Sequence, residues 1–217
     1  MRLYLDSADV KALEPLLQTG VFYGITTNPT VLRTARVRPR EFVSFADWAF
    51  GKGAKELYFQ AWGGTPESLY SRGKTLARIS TKVVVKLPAT QPGLEAASKL
   101  SAEGVRTCIT AVYAPFQALL AASSGAAYVA PYLGRMNDAG RDGHGSIAQM
   151  ARALGAVGSA TEILAASVRR GEDVAILAEN GVCCITLSPA VAGTLFQEPL
   201  TLEATQAFEN AAKELEA

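Results

Sequence analysis

Lys86 is the residue with the clearest chemical potential in this sequence. Of eight lysines in 217 residues, it alone closes an apolar run, Val83-Val84-Val85, at its C-terminal end. A lysine at the top of such a run is partly desolvated. That favours the free amine and suits it to attack a carbonyl and form a Schiff base. The same position also suits a lysine that snorkels to solvent or pairs with Asp6. By the period of two, Lys82 is expected on the same side but about 13 Å away, at the structural end of the strand. Val84 then falls between them as a core-layer residue.

Imine chemistry needs more than an amine. It requires a proton shuttle, donors for substrate hydroxyls, and a cation wherever the substrate carries an anionic group. Asp6, Gln60 and Tyr132 have the right groups to move or relay protons, with or without a water. Thr26, Asn28 and Thr110 can hold hydroxyls, and Arg135, Ser167 and Arg169 can hold an anion. Each residue has an ordinary structural alternative. Asp6 can pair with a barrel cation, and Asn28 before Pro29 fits a helix N-cap followed by proline at the first helical position. Thr26 and Thr110 are common strand residues. Gln60 fits a core amide, Tyr132 an interfacial aromatic, and Arg169-Arg170 a solvated helix start.

These residues share a position in the elements that carry them. Short β-prone runs over 2–6, 22–26, 56–60, 82–86, 105–110, 127–131, 162–166 and 182–186 alternate with segments long enough for helices. Several runs are rich in Val, Ile and Leu rather than alternating, as parallel strands covered on both faces should be. Eight βα units with no linker between them predict a single-domain α/β protein over residues 1–217, a (β/α)8 TIM barrel. Active sites of such barrels lie at the C-terminal ends of the strands. Asp6, Thr26, Gln60, Lys86, Thr110, Tyr132 and Ser167 all end or follow strands. The Gly-rich stretch 134–146 is expected to be a long polar loop with His144 exposed in it. Beyond the eighth unit, Leu202, Thr205, Phe208, Ala212 and Leu215 recur at helical spacing, predicting an extra C-terminal helix over 201–216. Its apolar stripe fits either its own barrel or a neighbouring subunit.

Composition removes several classes of function. The net charge of +1 gives no support for a nucleic-acid or acidic-membrane partner, and no run approaches the roughly 18 apolar residues of a membrane span. Asp6 comes too early for a signal peptide. Cys108, Cys183 and Cys184 are odd in number and read as reduced thiols, which favours the cytoplasm. No Cys or His spacing matches a zinc site. Gly51-Lys52-Gly53 lacks the third glycine of a dinucleotide fingerprint and reads as a helix-terminating turn. No metal or cofactor is expected.

The sequence resembles the transaldolase family, and within it the fructose-6-phosphate aldolase branch. The likeness is carried by Leu3-Tyr4-Leu5-Asp6, Gly24-Ile25-Thr26-Thr27-Asn28-Pro29-Thr30, Val83-Val84-Val85-Lys86-Leu87-Pro88, Glu103-Gly104-Val105, Thr110-Ala111-Val112-Tyr113, Tyr128-Val129-Ala130-Pro131-Tyr132 and Ala165-Ala166-Ser167. Together they span residue 1 to about 199. The resemblance implies Lys86 as the Schiff-base residue and Asp6 as its proton-transfer neighbour. It places Thr26, Asn28 and Thr110 around the substrate hydroxyls and a catalytic water, with Arg135 and Ser167 at the phosphate of a sugar-phosphate substrate. It also implies a homo-oligomer, a pentamer or decamer, in which the C-terminal helix reaches a neighbour.

Two positions bear on the reaction the resemblance implies. Transaldolases of this kind generally have glutamate on the third strand and phenylalanine after the sixth, whereas this chain has Gln60 and Tyr132. That is the pattern of aldolases that cleave fructose 6-phosphate into dihydroxyacetone and glyceraldehyde 3-phosphate. The segment Phe59-Gln60-Ala61-Trp62 is more aromatic than that pattern, and the 137–146 loop with Arg141 and His144 lies closer to transaldolases. The alternatives are therefore a transaldolase that passes the three-carbon unit to erythrose 4-phosphate and, more distantly, a silent sugar-phosphate-binding barrel.

Overall fold

The computed structural model describes residues 1–215. Eight parallel strands, β1 (Arg2–Asp6), β2 (Phe22–Thr26), β3 (Glu56–Gln60), β4 (Val83–Pro88), β5 (Thr107–Val112), β6 (Tyr128–Pro131), β7 (Glu162–Val168) and β8 (Cys184–Leu187), pair in sequence order and close on themselves. The helices are α1 (Val10–Gln18), α2 (Pro29–Thr34), α3 (Phe42–Gly51), α4 (Pro66–Ala77), α5 (Gln91–Ala102), α6 (Pro115–Ser123), α7 (Leu133–Asp138), α8 (Gly143–Ala156), α9 (Glu172–Glu179), α10 (Pro189–Thr194) and α11 (Pro199–Leu215). The expected (β/α)8 barrel with its extra C-terminal helix is thus the observed fold. Among the described residues, no helix is long and apolar enough to cross a membrane.

Strand alternation divides the core in two. Leu5, Ile25, Leu57, Phe59, Val85 and Ile109 face outward into the layer shared with the helices. Tyr4, Tyr58, Val84, Cys108, Tyr128 and Leu164 fill the barrel interior. A residue two positions after an interior one points the same way. This carries Tyr4 to Asp6, Tyr58 to Gln60, Val84 to Lys86, Cys108 to Thr110, and Tyr128 through Ala130 to Tyr132. Register aligns these ends across strands, pairing Asp6 with Thr26 and Gln60 with Lys86.

Several sequence expectations are corrected. β4 starts at Val83, so Lys82 is not its strand-mate; it is exposed, with its ammonium 5.2 Å from the Phe50 ring centroid. β5 runs two residues later than expected, and β7 and β8 extend beyond their expected ends. The 134–146 stretch is mostly helix: only 139–142 joins α7 to α8. Leu133 and Met136 are buried there, and Gly134 and Gly143 permit close packing, while Gly140, at φ +70°, turns the chain between the two helices. The turn at 51–53 ends α3 as expected, with Gly53 at φ +97°. α11 begins two residues before the expected helix, whose last position, Glu216, lies outside the described residues. It buries no residue, so the reading in which it folds back on its own barrel does not hold.

The N-terminal end of the barrel is closed by a polar knot. Glu56, 3% exposed, accepts hydrogen bonds from the hydroxyls of Tyr4 at 2.9 Å, Tyr58 at 3.0 Å and Tyr128 at 3.1 Å, and pairs with Arg106. Burial, reinforced by the Glu56 charge, pushes the Tyr4 phenol well above its ordinary range, so it remains a donor. Arg2 extends the knot to Tyr128 and Glu162. Removing the acceptor would leave buried donors unpaired. Glu56→Leu is therefore expected to lower unfolding stability by about 3–5 kcal/mol in urea melts, and a change below about 1 kcal/mol would contradict this account.

Candidate functional site

At the opposite end the barrel opens into a cavity of about 110 Å³, lined by Asp6, Asn28, Lys86, Tyr132, Arg135, Ser167 and Thr186 together with Ala130, Leu164 and Ala166. Six residues expected at the site thus meet around one space, delivered from β1, the start of α2, β4, the end of β6, α7 and β7.

Lys86 is 4% exposed, and its Nζ donates to the Thr27 carbonyl at 3.0 Å. Among the described residues, no carboxylate lies within ion-pair distance of it. It neither snorkels nor pairs with Asp6. Instead the Asp6 carboxylate accepts from the Thr26 hydroxyl at 2.8 Å, and that hydroxyl lies 2.7 Å from Thr186 Oγ1. Across the cavity, the hydroxyls of Thr110 and Tyr132 are 2.8 Å apart. The cavity therefore has a lysine amine flanked by two hydroxyl networks, one ending in a carboxylate and the other in a phenol.

The remaining residues take their places as follows. Asn28 does cap α2, its Oδ1 accepting from the Val31 N–H at 3.0 Å, while also lining the cavity. Thr26 and Thr110 are buried behind the lining, hydrogen-bonded to Asp6 and Tyr132 respectively. Gln60 is half-buried beside Lys86 in register but does not line the cavity. The Arg135 guanidinium lies 4.9 Å from the Tyr132 ring centroid and faces the Tyr113 phenol, which with nearby anionic groups keeps it charged. Arg169 is not among the lining residues; it pairs with Asp138.

Sequence reasoning passed over Thr186, although the rule that found the others, a polar residue ending a strand, applies equally to β8. It could not have found the Thr27 carbonyl, which is backbone. His144 is partly exposed and sits 3.2 Å from Asp173 rather than at the cavity. Cys108 is fully buried below Lys86, and burial pushes its thiol up to about 12, so it is no nucleophile at neutral pH. Among the described residues, no three His, Cys, Asp or Glu side chains gather as metal ligands.

The backbone at the mouth is shaped by two irregularities. Pairing slips between Ile109 and Val112 on β5 and between Ala165 and Val168 on β7. Inside these slips, Ala111 and Ser167 adopt left-handed φ values of 58° and 57°. Such conformations cost a non-glycine residue on the order of 1 kcal/mol and turn the chain so that neighbouring side chains face a new direction.

A closed parallel barrel that gathers a buried lysine, a carboxylate and an arginine at its C-terminal mouth has the architecture of the (β/α)8-barrel enzymes. The model of the Transaldolase/Fructose-6-phosphate aldolase family matches residues 3–217, and the chain belongs to that family. A probable transaldolase of Caulobacter sp. (strain K31) is 38% identical over 209 residues, covering 96% of this chain and 94% of its own. Probable transaldolase 1 of Bacillus cereus (strain ATCC 14579) is 36% identical over 212 residues, covering 96% and 95%. Among solved structures, a mandelate oxidase variant superposes with a TM-score of 0.59 at 14% identity, over 88% of this chain and 65% of that one, which shows the barrel fold alone.

The strain at Ser167 gives a stability test. Ser167→Gly relieves the left-handed backbone and is expected to raise stability by about 0.5–1 kcal/mol in urea unfolding. A loss of stability would mean that the hydroxyl contributes to the fold.

Proposed function

We propose that this protein is a class I aldolase of sugar phosphates acting through an imine on Lys86. The observation that carries the reading is a lysine 4% exposed whose amine has a backbone carbonyl and, among the described residues, no carboxylate for a partner. The unprotonated amine attacks the C2 ketone of fructose 6-phosphate, and loss of water gives the iminium. Asp6, directly or through a water, takes the proton from the C4 hydroxyl. The C3–C4 bond breaks, its electron pair passes into the enamine, and glyceraldehyde 3-phosphate leaves. Protonation at C3 and hydrolysis return dihydroxyacetone and the free lysine. Thr110, Tyr132 and Gln60 hold the water, and Thr26 and Asn28 support Asp6 and the substrate hydroxyls. Arg135 and Ser167, with Arg169 beside them, meet the phosphate. The hydroxyl pair of Thr110 and Tyr132 supports release by water. The family's phosphorylated substrates and three free thiols suit a reducing cytoplasm.

Transfer is the second reading, favoured because the similar proteins above are named probable transaldolases. Here the three-carbon enamine on Lys86 persists until erythrose 4-phosphate captures it as sedoheptulose 7-phosphate. Borohydride reduction in the presence of fructose 6-phosphate is expected to leave a three-carbon adduct on Lys86 by peptide mass spectrometry, and none on Lys86→Met. No adduct, or one on another lysine, would sink the imine mechanism and favour a non-catalytic barrel. Supplying erythrose 4-phosphate separates the first two readings: efficient heptulose formation with little free dihydroxyacetone identifies the transferase.

The same proposal includes a homo-oligomer, with α11 docking on a neighbouring copy. Leu200 and Phe208 on α11 are each 73% exposed, and Glu203, Glu209 and Glu214 outnumber its lysine. A groove lined by Leu32, Phe42 and Trp62 together with Arg33, Arg36 and Arg38 offers apolar contact and the opposite charge. Leu202→Glu/Phe208→Glu is expected to shift the mass in solution to that of the monomer by light scattering. An unchanged mass would rule α11 out as the contact.

A further inference from the structure

We infer that Asp138 is a positioning residue for the anion site: it holds the Arg169 guanidinium against the mouth so that a substrate phosphate meets Arg135, Ser167 and Arg169 together. The inference rests on the sugar-phosphate reading above and concerns how that phosphate is gripped.

Asp138 is the last residue of α7, the short helix that also carries Arg135. Arg169 follows β7 directly, two residues after Ser167. The two side chains meet as a two-pronged pair, Nη1 lying 2.7 Å from Oδ1 and Nη2 facing Oδ2. This pair ties together the two segments that supply the anion-binding groups. Gly134 shows how closely they approach. A Cβ placed there would stand 2.5 Å from the Ser167 carbonyl, 2.7 Å from Arg169 Nε and 3.1 Å from Ser167 Oγ. Arg169 Nε and Ser167 Oγ therefore both stand against one bare Cα in the first turn of the helix bearing Arg135.

The chemistry of the pair explains what this arrangement does. A guanidinium has five donors, and Asp138 occupies only the far side of the fork. The Nε side is left unused by Asp138 and lies next to Ser167 across the Gly134 Cα. Both partners are more than half exposed, at 56% and 54%, so screening by water leaves the pair little role in holding the fold together. Its effect is on conformation. Without Asp138, Arg169 samples rotamers that swing into solvent, and the substrate must order it on binding. With Asp138 that ordering is already present in the free protein.

The test is calorimetric binding of glycerol 3-phosphate, a phosphate ester that needs no reaction to bind, to the full-length wild type, Asp138→Asn, Arg169→Ala and the double variant. Asp138→Asn is expected to weaken binding about two- to tenfold, the range for ordering one long side chain. Arg169→Ala should weaken it at least as much, and adding Asp138→Asn to Arg169→Ala should change nothing further. In turnover, Asp138→Asn should raise KM for phosphorylated aldehyde acceptors while leaving kcat, and KM for glyceraldehyde, within about twofold. A purely structural role would move both substrates together. Tighter binding by Asp138→Asn would show that the aspartate withholds Arg169 from the ligand and would overturn the inference. Unchanged binding, or an equal loss on the Arg169→Ala background, would overturn it as well, as would a wild type that binds no phosphate ester. Trapping at Lys86 is read separately, so failure of this grip and failure of the imine mechanism are distinguishable.

Discussion

A carboxylate buried among phenols sets the terms for everything above it. Glu56 gathers the hydroxyls of Tyr4, Tyr58 and Tyr128 at the N-terminal end of the barrel. Three large rings pack edge to face around it, at centroid separations near 5.5 Å. A barrel of eight strands has an interior only wide enough to be filled by side chains. Bulky rings fill the lower layers here, and the cavity around Lys86 opens above them at the C-terminal mouth. The floor also fixes which way the strands face. With Tyr4 and Tyr58 turned inward, the period of two turns Asp6 and Gln60 towards the mouth.

Strand order, strand number and the inward direction of Lys86 were legible in the sequence because they depend on periodicity and alternation. The polar residue ending each strand could be read the same way, which is how Asp6, Thr110 and Tyr132 were found. The 134–146 segment was misread because its glycines signal a loop by local preference. In the fold, Gly134 and Gly143 are there because no side chain fits against Ser167 and Leu133. Long-range packing of that kind leaves no mark on local spacing. Arg169 is a similar case. Its type and place suggested an anion contact, but its partner, Asp138, lies 31 residues away, at the end of a helix the sequence did not reveal.

Asn28 shows that the structural and chemical readings of one residue need not compete. Its side-chain oxygen caps the N-terminal end of α2, and that constraint holds the same side chain at the cavity wall. Lys86 shows the reverse. Its alternatives are mutually exclusive, and a 4% exposure with the Thr27 carbonyl as the amine's partner among the described residues leaves neither snorkelling nor pairing with Asp6. The capped asparagine and the acceptor carbonyl are adjacent in Thr27-Asn28-Pro29, so one short segment both begins a helix and orients the amine.

The floor and the mouth of the barrel have no side chain in common. Glu56, its three tyrosines and Arg106 hold one end, while the residues around Lys86 hold the other, with Val84 and Cys108 between them. Inheritance can therefore act on the two ends separately. A lineage that drifts at Gln60, Tyr132 or Arg169 changes the mouth without touching the knot of Glu56 and its tyrosines. That separation makes a small barrel evolvable, since catalytic novelty and foldability are written in different residues of the same strands.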